Sequence, residues 1–314
     1  MSNNFHIAGT EDFGYSPERS FLYSFYRYMN TVQQVCCLYN YASVLDLRGY
    51  VAHFCYRKLK EFDTAFKVIV DHKDYISANC LLRMLGDSVS VFRLVYMETD
   101  PELRWLRHAL YVLEGCEQNL KVLTDDDANR DAMPAAEYAE FKNGVRRSIE
   151  HRKRLMAEAQ LILDKSRLAA ADKEAFDKIV KDRNWKFKEF KNYKNVHVNQ
   201  YKVAEMYKMI GLSDDFDLLS FISQYVHGLS MSNLVMEMNR ENRDSVISIE
   251  LALVNRLNEY ALNFFVRDIR YIFEGFYDPK MRDLILACYD DVHRPTIEQW
   301  NEIVRNSYNR ILEK

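Results

Sequence analysis

Two stretches of the sequence carry residues whose types and spacing could do chemistry together. Arg83 and Asp87 stand four apart in 75-YISANCLLRMLGDSVSVFRLVYM-97, and Ser223 and His227 stand four apart in 216-FDLLSFISQYVHGLS-230. On a helix a spacing of four puts both members of each pair on one side. An imidazole of near-neutral pKa can take the proton of a 2′-hydroxyl. A guanidinium can bind two oxygens of the phosphorane that develops next. Asp87 would orient Arg83 or fix the tautomer of His227, and Ser223 would hydrogen-bond substrate or imidazole. Should the two helices bring these groups together, they are the parts a metal-independent endoribonuclease needs. The same groups also make a buried His–Asp–Arg network that holds two helices in register, or, for Arg83 and Asp87 alone, a structural ion pair. Both readings fit the sequence.

A second set would hold the substrate. Arg146 and Arg147 lie in 146-RRSIEHRKR-154, and Arg183, Trp185, Lys186 and Lys188 lie in 183-RNWKFKEFKNYKN-195. Lysines interleaved with aromatics can neutralise phosphates and stack on bases; they can equally lay their stems over the edge of a core. From Lys142 to Lys208 there are 18 Lys/Arg against 9 Asp/Glu, while the whole chain carries a net charge of −3. That imbalance suggests a surface facing a polyanion, although a solvated lysine-rich helix would look the same.

The elements that must position these residues are helices. The chain has 314 residues, of which only 9 are Gly and 5 are Pro, too few for the turns of an all-β protein. In the 75–97 stretch, Cys80, Met84, Val91, Leu94 and Val95 form one helical row and Leu81, Leu85, Val89 and Phe92 the next. Ser16-Pro17-Glu18 and Asp100-Pro101-Glu102 are helix starts. Further helices are predicted over 45–73, from 101 to about 123, over 135–168, 198–210, 216–230 and 245–273, and from near Asp278 and Pro295. The expected fold is an all-α bundle of about 9–11 helices with one long charged helix or helical hairpin. Its expected parts are a flexible tail at 1–15, a bundle core at 16–235, and a helical extension at 236–314 packed on that core.

Composition excludes several classes. The eight histidines show no metal-ligand spacing, and there is no phosphate-binding loop, dinucleotide fingerprint or nucleophile elbow. No metal, nucleotide or other cofactor is therefore expected. Six cysteines without a CxxC read as reduced core thiols of a cytoplasmic protein. The polar first residues, MSNNFHIAGTEDFG, resemble no secretory signal, and no segment is apolar enough for a membrane span. The expected partners are RNA, a protein, or a second copy of the chain.

The order of these features, from about Phe62 to Val235, resembles a bacterial family of all-helical proteins known as a domain of unknown function. The residues that carry it are Leu82-Arg83 with Asp87, Asp100-Pro101-Glu102, the charged helix at 135–168, Asn184-Trp185, and Ser223 with His227-Gly228. Asp87 stands where that pattern has Glu, and the lysine run after Trp185 is heavier. The family is similar in architecture to HEPN-type helical bundles, many of them RNases of toxin and phage-defence systems. What the resemblance implies is an RNA-cleaving or RNA-binding effector; the alternative is a non-enzymatic interaction or scaffold protein. HEPN enzymes use an R-x(4–6)-H motif, and Arg146 to His151 matches it literally. That match lies in a highly charged helix, where such spacings arise easily.

Overall fold

The computed structural model describes residues 29, 32, 33, 36, 43–72, 75–123, 130, 133–211, 223, 249, 250, 252–261 and 264. These residues form helices joined by turns, with no strand among them beyond one isolated bridge between Phe187 and Gln200. The helices are α1 (Leu47–His72), α2 (Tyr75–Val95), α3 (Pro101–Val122), α4 (Ala135–Asp164), α5 (Leu168–Ala171), α6 (Lys173–Lys181) and α7 (Val203–Met209). Residues 252–261 are helical as well. The protein is all-α. The expected tail at 1–15, the start at Ser16 and the boundary at 235–236 lie outside the described residues.

The chain divides into two compact units. The first takes Met1–Asn40, Val51–Phe92 and Tyr207–Lys314; the second takes Tyr41–Tyr50 and Arg93–Met206.

In the first unit α1 buries Val51, Cys55, Leu59 and Phe62, and α2 buries Leu82, Leu85, Val89 and Phe92. The 252–261 helix adds Leu253, Val254, Leu257 and Ala261. Phe54 of α1 meets Phe92, and Phe92 in turn stacks on Tyr260 and meets Phe264 edge-on. At the other end Phe62, Leu81, Leu85 and Glu250 line one cavity. These contacts set α1 antiparallel and the 252–261 helix parallel to α2. The buried row of α2 differs from the one expected. Leu82 is buried, whereas Met84 is exposed and Cys80 and Val91 are half-buried, so the face is turned toward the Leu82–Phe92 side.

The second unit is built on an α3–α4 pair. Asp100 caps α3 by accepting from the N–H groups of Glu102 and Leu103, with Pro101 at the first helical position. The N–H of Arg167 just past α4 donates to Glu102 at the start of α3, and Arg152 acts on Cys116 further along. The two helices are therefore antiparallel, and the end of α3 falls level with about residue 146. The first three turns of α4, about eleven residues or roughly 16 Å, extend past it. α4 buries only Leu155, Ala159 and Leu163. The expected single helix over 135–168 ends at Asp164, and four residues of α5 follow before α6.

His108 sits at the centre of this unit, fully buried among the rings of Tyr50, Tyr96 and Trp105. Its Nε2 is 3.0 Å from the carbonyl of Val44, which can only accept, so Nε2 carries the proton. Nδ1 is then the acceptor for the Tyr96 hydroxyl at 3.3 Å. Burial lowers the His108 pKa to about 4, so the ring is neutral at pH 7.

Candidate functional site

The helix α2 brings Arg83 and Asp87 together as their spacing requires. Arg83 Nη2 lies 3.3 Å from Asp87 Oδ1. The pair is at the edge of the apolar face rather than set into it: the Asp87 side chain is 48% exposed and that of Arg83 18%. A third group completes the set. The Tyr207 hydroxyl donates to Asp87 Oδ1 at 3.0 Å and lies 3.3 Å from the Arg83 carbonyl, and its ring lies under the Arg83 guanidinium at 5.2 Å. Burial, and then the charge of Asp87, hold the Tyr207 phenol far above its ordinary pKa. It is a permanent donor and not a base. Arg83 Nη1 is buried with no hydrogen-bond partner among the described residues.

Gly86 makes this arrangement possible. A Cβ there would stand 2.6 Å from the Tyr207 hydroxyl and 3.0 Å from its ring. A glycine inside a helix costs stability relative to alanine, so its presence marks a close approach. That was the signal in the sequence for a group arriving beside Asp87. The residue that arrives is Tyr207, on the short α7, which the sequence reading did not single out.

His227 lies outside the described residues, and Ser223 is helical and half-buried. The structure thus joins Arg83 and Asp87 and adds Tyr207.

The six residues expected to hold RNA separate into two groups. Arg146 and Arg147 are exposed on the part of α4 that holds no buried residue. Those in the 183–195 run are used internally. Trp185 is buried, and its indole N–H donates to Glu114. Phe187, Phe190 and Tyr193 are buried beside it, so the aromatics of this run face inward and Trp185 offers no face for base stacking. That expectation is corrected. The Trp185 carbonyl accepts from buried Arg107, whose guanidinium lies 3.9 Å from the Phe187 ring and 3.5 Å from Glu98. Desolvation lowers Arg107 to about 10, which leaves it charged at neutral pH. Arg183 holds a left-handed backbone at φ 50 just past α6, where it donates to Glu117 at 3.0 Å and to the Val180 carbonyl at 2.9 Å. Lys186 lies over the Trp185 ring at 4.9 Å, and Lys188 is paired with Glu205.

The Arg146-to-His151 match places His151 on α4, with its Nδ1 3.0 Å from the Arg154 guanidinium. Desolvation and the neighbouring Arg154 and Arg152 lower its pKa. Among the described residues there is no group of three His, Cys, Asp or Glu able to hold a metal, and no helix long and apolar enough to cross a membrane. No protein-family model, curated protein or solved structure matches the chain.

Proposed function

We propose that the chain is an RNA-binding helical protein whose contact surface is the exposed basic side of α4. The observation that supports this is the placement of Arg146, Arg147, Lys153 and Arg154, all exposed, on a helix that buries nothing before Leu155. Over 142–154 the sequence carries six Lys/Arg and one Glu. Cations on a helix that runs past its neighbour can follow a phosphate backbone without rearranging the core.

The test is a gel shift with single-stranded RNA at two salt concentrations. Replacing Arg146, Arg147 and Lys153 with Gln should weaken binding and lower the slope of log K against log salt by about 2, since each phosphate contact contributes about 0.7. A triple variant that binds as the parent does, with an unchanged slope, overturns the reading.

Cleavage is a separate matter. Tyr207 is held protonated and is no base, and Asp87 is engaged by Arg83 and by the Tyr207 hydroxyl. An RNase acting in phage defence or in a toxin system would rest on His227, which lies outside the described residues.

The second reading is a non-enzymatic interaction protein, and exposed apolar side chains favour it. Phe141 on the overhanging part of α4 is 43% exposed, and Val122 at the end of α3 is 78% exposed. Light scattering decides between them. A mass equal to a multiple of the chain, with no RNA shift, supports the second reading.

A further inference from the structure

Glu250 is buried in the first unit with no hydrogen bond or ion pair among the described residues. It shares a small cavity of about 10 Å³ with Lys58, Glu61 and Phe62 of α1 and with Leu81, Met84 and Leu85 of α2. That volume is room for one water-sized group, which is also the size of an ammonium head. The charged residues that line it all come from α1 or from Glu250 itself; α2 contributes only Leu81, Met84 and Leu85. Lys58 Nζ is engaged on the outer side, 2.7 Å from Glu61 Oε2, with both side chains partly exposed.

We propose that Lys58 is a counter-ion shared between Glu61 and Glu250, bound to Glu61 while Glu250 is neutral and turning into the cavity when Glu250 loses its proton to water. A carboxylate in an apolar wall is unfavourable unless a cation reaches it, and Lys58 is the cation on that wall. Burial alone pushes Glu250 up to about 8, and the approach of Lys58 brings the exchange down toward neutral pH. Its effect is to tie the start of the 252–261 helix to α1 by a charge pair and to release Glu61 to solvent. The device makes the packing of the first unit respond to pH, apart from any RNA contact on α4.

Carboxyl-selective carbon-13 NMR of the full chain through pH 4 to 10 tests it. One glutamate resonance should titrate between pH 6 and 8 and vanish in Glu250→Gln. In Lys58→Met its midpoint should rise by about one unit, since an opposite charge within reach shifts a carboxyl by that much or more. In Glu61→Gln it should fall, because Lys58 is then free to turn inward. Opposite movements in the two variants are not what general loosening would give. If the Glu250 resonance titrates below pH 6, or moves the same way in both variants, the proposal is overturned.

Discussion

Replacing Gly86 with Ala tests the geometry at the candidate site most directly. On an isolated helix the change stabilises by about 1 kcal/mol. Here the new methyl would stand 2.6 Å from the Tyr207 hydroxyl and 3.0 and 3.1 Å from its ring carbons. Tyr207 is buried and lies beneath Arg83, so it cannot turn aside freely. It must shift, and the shift breaks the 3.0 Å hydrogen bond to Asp87. Losing a hydrogen bond to a charged group costs about 1.5–3 kcal/mol, and overpacking costs a further ~1–3 kcal/mol. The expected net result is a loss of about 2 kcal/mol or more, opposite in sign to the helix preference. Tyr207→Phe removes the atom nearest the new methyl, so the double variant should be less destabilised than the sum of the singles, by about 1 kcal/mol. Urea unfolding of the parent, both single variants and the double variant measures all four states. A Gly86→Ala protein more stable than the parent, or strict additivity, refutes the reasoning.

Three further outcomes concern Glu250, His108 and His227. Glu250 is raised from 4.5 to about 8 in the fold, so its stabilising contribution is complete below pH 4.5 and is lost as pH rises toward 8. Glu250→Gln should flatten that loss, with a gain on the order of 3 kcal/mol at pH 7 seen by denaturant unfolding across pH. His108 is lowered from 6.5 to about 4, which gives the opposite sign: its contribution is complete above pH 6.5 and is lost as pH falls toward 4. His108→Gln should lower stability at pH 7 while removing most of the decline between pH 6.5 and 4. His227→Ala should leave RNA binding through α4 unchanged and abolish any RNA cleavage by the parent; equal cleavage by parent and variant would remove His227 from the chemistry.

Much of the helix pattern could be read from local signals. Asp100 and Pro101 are a cap and a first helical residue wherever they occur together before an apolar row, and α3 starts there. Arg83 and Asp87 were legible as a pair because their meeting depends on spacing within one helix. What the sequence could not convey were partners far along the chain. Trp185 looks like a stacking residue until Glu114, 71 positions earlier, receives its indole N–H. Arg183 looks like a phosphate ligand until Glu117 claims it. The helix predicted from Val198 begins only at Val203. Asn195 Oδ1 accepts from the N–H groups of His197 and Val198, and Tyr201 donates its backbone N–H to Lys186, so this backbone is held outside a helix. Tyr207 was missed because nothing on α7 itself points to Asp87; the clue sat on the other helix, at Gly86.

The overhang of α4 has a mechanical consequence. Its buried residues, Leu155, Ala159 and Leu163, and Glu158, which accepts from Ser43 and Val44, all lie in its second half, so that half is the anchored one. Load applied at residues near 140 would bend or unwind the opening turns before it reached the anchored half. Whatever grips those turns could therefore be exchanged, lengthened or shed in evolution while the anchoring residues stay as they are.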